Sequence, residues 1–344
     1  MKTKLTMLLI LTLLAGLFAG CGSSPTSEPA APQEEPAASQ EETAEVPEAE
    51  PAEEAEEAAE DEENYNTGDA SLDDPRNADG IGEKELLAVS FGTSFNDSRR
   101  LTIGGIEGAL EAAFPDYSVR RGFTSDIIIN HVKSRDGVSI DSVDEALSRA
   151  VDNGVKTLVV QPTHLMNGIE YDELMGLIAK YSDAFEQVSV GEPLLTSDED
   201  FQAVAEAIVT ATKEYDDGKT AICFMGHGTE AESNGVYARM QTVLSDMGAE
   251  HYYIGTVEAT PSLEDVLKMV QEGDYSRVVL EPLMVVAGDH ANNDMAGDEE
   301  DSWKSAFQAA GYEVVPVLRG LGELEEIQKL YVAHAQAAID ALEK

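Results

Sequence analysis

The chain opens on one apolar stretch and falls into a long polar tract. It then settles into short β-branched runs alternating with longer amphipathic segments. Those runs are predicted strands, and the segments with apolar positions three and four apart are predicted helices. In the first half, strands are predicted over residues 86–91, 117–123, 157–161 and 188–190. Helices are predicted over 98–114, 126–133, 143–153, 171–181 and 198–215, with Asp97 or Ser98 capping the first. In the second half, strands are predicted over 221–225, 252–257, 277–286 and 314–318. The intervening helices fall over 234–247, 262–271, 302–310 and 324–342. Pro261 stands near the start of one of them, where a missing N–H costs little. Strands alternating with helices in this order imply an α/β fold with parallel sheets.

The two halves read as a diverged duplication. Residues 87–93 (LAVSFGT) parallel 222–228 (ICFMGHG), 157–162 (TLVVQP) parallel 277–282 (RVVLEP), and 191–195 (GEPLL) parallel 319–323 (RGLGE). The expected architecture is therefore two similar α/β lobes, over 83–215 and 216–344, with a ligand cleft between them. Open α/β sheets bind ligands beyond the carboxyl ends of their strands, which is where the search for chemistry belongs.

The opening stretch changes the picture of where the protein works. Lys2 and Lys4 precede an apolar run over 5–18 that is short for a membrane span, and Ala19-Gly20-Cys21 follows. This resembles a bacterial lipobox, with 1–21 a lipoprotein signal peptide and Cys21 the lipidated residue, although Phe18 replaces the usual aliphatic residue. An uncleaved anchor helix or a plain signal peptide are the alternatives, and each also puts the rest of the protein outside the cytoplasm. Residues 22–82 are rich in Glu, Ala and Pro and poor in large apolar side chains, so they are expected to form a disordered acidic tether.

The whole chain carries 22 basic against 67 acidic residues, a formal net charge of −45. Such a chain has little with which to neutralise a run of phosphates, which excludes nucleic acid as a partner. Beyond Cys21 the one remaining cysteine is Cys223, in an apolar run, and it is read as a buried strand residue.

Three residues of the second half stand at or just past predicted strand ends. His227 is flanked by Gly226 and Gly228, Glu258 follows an apolar strand, and His290 sits in the glycine- and Asx-rich run 287–294 (AGDHANND). Taken singly, each histidine is more readily a hydrogen-bonded surface or core residue, and no two of the three share a ligand spacing. Together they form a nitrogen/oxygen set suited to a divalent first-row ion, and the corresponding strand ends of the first half lack it. The other histidines invite plainer readings. His131, His251 and His334 are placed at the surface, and His164, at a first-half strand end, is a candidate to line the cleft. Met284 and Met295 are read as packing residues.

Seven strings now align with a known family: 88–94 (AVSFGTS), 123–128 (FTSDII), 135–137 (RDG), 191–195, 224–228 (FMGHG), 282–295 (PLMVVAGDHANNDM) and 301–304 (DSWK). In these the chain resembles the anaerobic, ATP-independent sirohydrochlorin cobaltochelatases, class II chelatases of two duplicated lobes, across essentially the whole globular part. The resemblance implies a His–Glu–His metal site falling on His227, Glu258 and His290. It implies His227 as main ligand and base, His290 as second ligand, and Glu258 as charge-neutralising ligand or proton acceptor. The substrates implied are a sirohydrochlorin-type tetrapyrrole and a divalent metal, Co²⁺ first, with Fe²⁺ and Ni²⁺ compatible with the ligand set. No Walker-type loop is visible, so no nucleotide is expected. Arg99, Arg100, Arg120, Arg121 and Arg135 are candidates to meet the tetrapyrrole carboxylates. A surface-anchored protein that binds and transfers metal, haem or another tetrapyrrole without turnover is the alternative, since tetrapyrrole synthesis is cytoplasmic. A solute-binding protein for an unrelated ligand is a weaker third. The oligomeric state is left open, a homo-oligomer included.

Overall fold

Strand β1 (Lys84–Ser90) is buried at every position after the first, and so pairs on both edges. It lies between β2 (Ser118–Phe123) and β3 (Thr157–Pro162), and β3 pairs in turn with β4 (Gln187–Val190), all parallel. The second half repeats this plan with β5 (Thr220–Gly226), β6 (Tyr252–Thr256), β7 (Arg277–Pro282) and β8 (Glu313–Pro316). The strand orders are β2-β1-β3-β4 and β6-β5-β7-β8, so the two sheets share one topology, as a duplication requires. The continuous apolar runs of the central strands follow from helices covering both faces of each sheet. This computed structural model describes residues 67–343. The signal peptide, Cys21 and residues 22–66 of the expected tether lie outside the described residues. Among the described residues no helix is long and apolar enough to cross a membrane.

Among the described residues ten α-helices flank the strands: α1 (Asn96–Leu101), α2 (Ile103–Ala113), α3 (Asp126–Asp136), α4 (Val143–Asp152), α5 (Ile169–Tyr181), α6 (Asp198–Ala211), α7 (Gly235–Asp246), α8 (Leu263–Gln271), α9 (Trp303–Ala309) and α10 (Glu325–Leu342). Ser142, Ser197 and Ser262 close capping boxes at α4, α6 and α8. The helix predicted over 98–114 is in fact two. It breaks at buried Thr102, whose hydroxyl donates to the Ser98 carbonyl at 2.6 Å, a back-bond that competes with the helical pattern. Neither Asp97 nor Ser98 caps it, since the first helix begins one residue after Phe95, which offers no side-chain cap. The strand predicted over 277–286 stops at Pro282. Beyond it, the Met284 and Val285 carbonyls accept from Leu321 and Gly322 N–H at 2.9 and 3.0 Å.

The final helix does not stay with the second lobe. The Tyr331 hydroxyl of α10 donates to the Thr163 carbonyl at 2.8 Å, and Gln187 of β4 donates to the Leu342 carbonyl at 3.0 Å. His334, expected at the surface, bridges the Glu192 carbonyl and the Asp200 carboxylate, both at 2.9 Å. In the other direction, Phe201, Val204 and Ile208 of α6 join the apolar cluster that holds Tyr237 and Met240 of α7. The largest core thus draws on both halves, and the expected lobe boundaries of 83–215 and 216–344 cut across it.

The expected tether also ends earlier than residue 82. Asp73, with a side chain 3 % exposed, pairs with Arg99 and Arg121 at 2.7 Å each. Arg121 also pairs with buried Glu107 at 2.7 Å. An acidic residue that neutralises two buried guanidiniums belongs to the fold, whatever the composition of the tract before it. Cys223 is fully buried in β5, as its apolar neighbours imply.

Candidate metal centre

His227 leaves β5 at its carboxyl end, and its carbonyl accepts from the N–H groups of Val257 and Glu258 at 3.1 and 2.9 Å. The two loops that present His227 and Glu258 are therefore one backbone unit. Gly228 makes this close approach feasible. It holds φ +96°, and a Cβ there would lie 2.8 Å from the Ala259 nitrogen. Behind it, the Tyr237 hydroxyl accepts from the Gly228 N–H at 3.3 Å. The His227 Nδ1 lies 2.9 Å from the Gly228 carbonyl, which can only accept, so Nδ1–H donates there and Nε2 is the ring nitrogen turned to the centre. That Nε2 faces the Glu258 carboxylate at 3.3 Å.

His290 follows β7 at the head of a short π-helical turn over Ala291–Met295. This turn puts Asp294 one helical step on, with its carboxylate 2.8 Å from His290 Nδ1. The carboxylate accepts that proton and again leaves Nε2 outward, the arrangement that orients metal-ligating imidazoles. Burial opposes charge on this ring, yet the Asp294 carboxylate, helped by Asp289 and Glu258, outweighs it and raises the pKa above the usual histidine value. The loop is tied down by Asn293 donating to Asp289 at 2.7 Å and by Asn292 donating to the Gly288 carbonyl at 2.7 Å.

One ligand atom from each of His227, Glu258 and His290 can be chosen so that all three lie within 4.8 Å of one another. Ligands sharing one first-row ion stand roughly 3–3.5 Å apart, given bonds of about 2.1 Å, so a small inward movement closes the set. The side chains are 46, 37 and 34 % exposed, open enough for a second reactant to reach the same ion. The sequence placed these three residues at strand ends, and the structure brings all three together. It also supplies Asp294, unassigned in the sequence reading, although its spacing of four from His290 was visible there.

The remaining histidines divide differently. His164 lies two residues past β3, neither ring nitrogen has a hydrogen-bond partner among the described residues, and burial pushes its pKa down to about 4, so it is neutral. His131 is half-buried, and His251 packs on the Tyr252 ring with centroids 4.9 Å apart. Met295 packs fully buried with Trp303 and Phe307, and Met284 packs against the same cluster.

Of the five arginines considered for tetrapyrrole carboxylates, Arg99 and Arg121 are committed to the buried network and cannot reach a ligand. Arg100 pairs with Asp97 on the surface of α1. Arg135 donates to the Ser94 carbonyl at 2.6 Å and pairs with Asp136, which puts it at the carboxyl end of the first sheet. Arg120 lies partly buried in β2. Phe91, 50 % exposed, and Ile127, 39 % exposed, present apolar surface at the same end, where Ser125 N–H donates to the Phe91 carbonyl at 3.3 Å.

The family model "Cobalt chelatase (CbiK)" matches residues 84–340. The chain is 35 % identical over 260 residues to the sirohydrochlorin cobaltochelatase of Salmonella typhimurium, covering 75 % of this chain and 97 % of that protein. It is 31 % identical over 263 residues to the sirohydrochlorin cobaltochelatase CbiKC of Nitratidesulfovibrio vulgaris, covering 76 and 92 %. Among solved structures, SirB from Bacillus subtilis with Fe³⁺ shares the fold at a TM-score of 0.55 and 13 % identity, over 76 % of this chain and 98 % of that one. A likeness so remote in sequence speaks for the fold, while the two cobaltochelatases and the matched family model speak for kinship. By its duplicated parallel sheets and its match across both of them, the chain belongs to the cobalt chelatase (CbiK) family.

Proposed function

We propose that this protein is an ATP-independent chelatase that inserts Co²⁺ into sirohydrochlorin at the centre formed by His227, Glu258 and His290. The observation that carries this reading is the pair of imidazoles whose Nδ1 protons are both donated away from the centre. That leaves the Nε2 edge of each ring for a ligand, and one ligand atom from each imidazole and from the Glu258 carboxylate lies within 4.8 Å of the others. Such a set holds a divalent ion with positions to spare, and Co²⁺, Fe²⁺ and Ni²⁺ are all acceptable to it. The two cobaltochelatase relatives favour cobalt among them.

Insertion exchanges water on the ion for four pyrrole nitrogens and releases two N–H protons. His227 and Glu258, 3.3 Å apart, are placed to take those protons as the metal leaves them. Asp294 holds His290 in the tautomer that binds metal. The exposed Phe91 and Ile127, at the carboxyl end of the first sheet, offer an apolar surface for the macrocycle, and Arg135 at the same end is the arginine assigned to its carboxylates. The lipobox-like run ending in Cys21 supports an extracytoplasmic, lipid-anchored enzyme whose acidic tract spaces it from the membrane.

The test is sirohydrochlorin absorbance over time with Co²⁺, and separately Fe²⁺, for the protein and its His227→Ala variant. Repeated turnover that is lost in the variant is expected. A single stoichiometric shift without turnover would instead mark a tetrapyrrole carrier, and the enzyme reading would fall.

A further inference from the structure

The residues just before β1 make a connection to the metal centre that their composition does not suggest. Residues 67–73 precede the family match, which begins at residue 84. They nonetheless close on α1. The Thr67 carbonyl accepts from Asp97 N–H at 2.9 Å, and Asn96 donates its side-chain amide to the Gly68 carbonyl at 3.3 Å. Asp69 caps the short turn over Ala70–Leu72 by accepting from Ser71 N–H at 2.9 Å. The strap then delivers Asp73 into the interior, where its carboxylate accepts from Arg99 Nε at 2.7 Å and from both Arg121 Nη groups at 2.7 and 3.0 Å. Arg99 passes this anchorage on, donating to the Thr93 carbonyl at 3.1 Å and to the Asn96 side-chain carbonyl.

Helix α1 is in turn the support for the loop that carries His290. The Ser98 hydroxyl accepts from Ala287 N–H at 2.9 Å, a bond between the two halves of the chain. A Cβ on Gly288 would lie 3.0 Å from the Thr93 hydroxyl, so the loop rests closely against the segment that Arg99 holds. Without Asp73, Arg99 loses the carboxylate it pairs with at 2.7 Å, and Arg121 is left to the buried carboxylate of Glu107. A buried charge left without its partner forces local rearrangement, and the first element able to shift is α1.

We propose that the strap over 67–73 is a positioning element for the metal centre: Asp73 fixes α1 through Arg99, and α1 fixes the His290 loop through Ser98. This rests on the reading of His227, Glu258 and His290 as the metal centre. Asp73 and Ser98 are positioning residues, with no contact to the ion.

The test uses the full chain and two readouts. Amide hydrogen exchange at Ala287 reports the loop without any metal, and titration with Co²⁺ followed by its visible absorption reports the centre. Asp73→Asn is expected to speed exchange at Ala287 by about tenfold or more while the amides of β5 keep their protection. Co²⁺ affinity is expected to fall by roughly three- to tenfold in the same variant, and combining it with Ser98→Ala should add little further, because both cut one chain of contacts. Should Asp73→Asn not accumulate folded, Asp69→Ala loosens the strap without stranding a buried charge and should move both readouts the same way. Faster exchange confined to residues 67–101 with Ala287 unmoved would overturn the proposal, as would faster exchange at Ala287 with unaltered Co²⁺ affinity. If the unmodified chain and His227→Ala bind Co²⁺ equally, it is the metal-centre reading that has failed, and the exchange at Ala287 still decides whether the strap holds the loop.

Discussion

The rings of His227 and His290 meet edge to face, with centroids 4.6 Å apart and planes at 81°, although they leave from different strands. Each ring is steered by a different device: His227 by the carbonyl of its own neighbour Gly228, His290 by the carboxylate of Asp294. In the proposed function both hold one ion, and two ligands of one ion lose their value together. His227→Ala or His290→Ala should each weaken Co²⁺ binding by about a hundredfold or more, and the double variant should be little worse than either. Asp294→Asn keeps the ligand and loses the orienting charge, so a loss of about 10–100-fold is expected. Titration of the four proteins with Co²⁺ checks this; additive losses would show that the two histidines do not share an ion.

Gly228 carries a second prediction. Its φ of +96° is open to glycine at little cost, and a methyl there would press on the Ala259 backbone nitrogen. Gly228→Ala should cost about 2 kcal/mol or more, from the left-handed backbone and the clash together. Because the His227 carbonyl also binds the N–H of Glu258, both ligands should move, and metal affinity should fall along with the melting temperature. A variant that melts earlier yet binds Co²⁺ normally would contradict the coupling.

Glu85 predicts a pH dependence of stability. It is 2 % exposed at the start of β1, and burial raises its pKa to about 7; Asp141 adds to the rise, and Arg120 and Arg149 oppose it. Its ordinary value is 4.5, so between that pH and about 7 the folded protein holds a proton that the unfolded chain releases. The contribution is fully present below 4.5 and is lost as pH rises through the folded value. Glu85→Gln should therefore leave stability near pH 4 unchanged and raise it above pH 7 by about 1–3 kcal/mol. Melting curves across this range decide the matter, and superimposable curves for the two proteins would refute it.

Glu281 and Arg319 test the duplication. Glu281, 2 % exposed in β7, takes two bonds from Arg319 at 2.7 and 3.1 Å. In the first sheet the same strand position is Gln161, which needs no cation and donates to the Glu192 carbonyl at 3.0 Å. Arg319→Met strands a buried carboxylate and should destabilise by about 3 kcal/mol, as broken buried pairs do. Adding Glu281→Gln should recover most of that loss by restoring the neutral chemistry of the first sheet. Denaturant unfolding of the single and double variants measures both steps.

Among the described residues each of the eight strands overlaps a predicted run, most plainly the central β5, because a parallel strand buried on both faces must be apolar along its length. That His227, Glu258 and His290 come together was legible for a related reason: residues beyond the carboxyl ends of such strands gather on one side of the sheet. The break at Thr102 was not legible, since it depends on a hydroxyl choosing the Ser98 carbonyl over solvent. Nor was the early stop at Pro282, after which the chain stays extended but bonds to residues 321–322 instead of a strand.

Composition misled most at the strap and at the arginines. An acidic tract reads as a solvated tether, and Arg99 stood among the candidates for the tetrapyrrole carboxylates, yet Asp73 and Arg99 are each other's buried partners. Local sequence fixes periodicity, turn chemistry and which side chains can hold a metal, because these depend on neighbours within a few residues. Which distant charge neutralises which, and which sheet receives the last helix, depends on contacts across the whole chain. Those were decided only when the two halves closed around a common core.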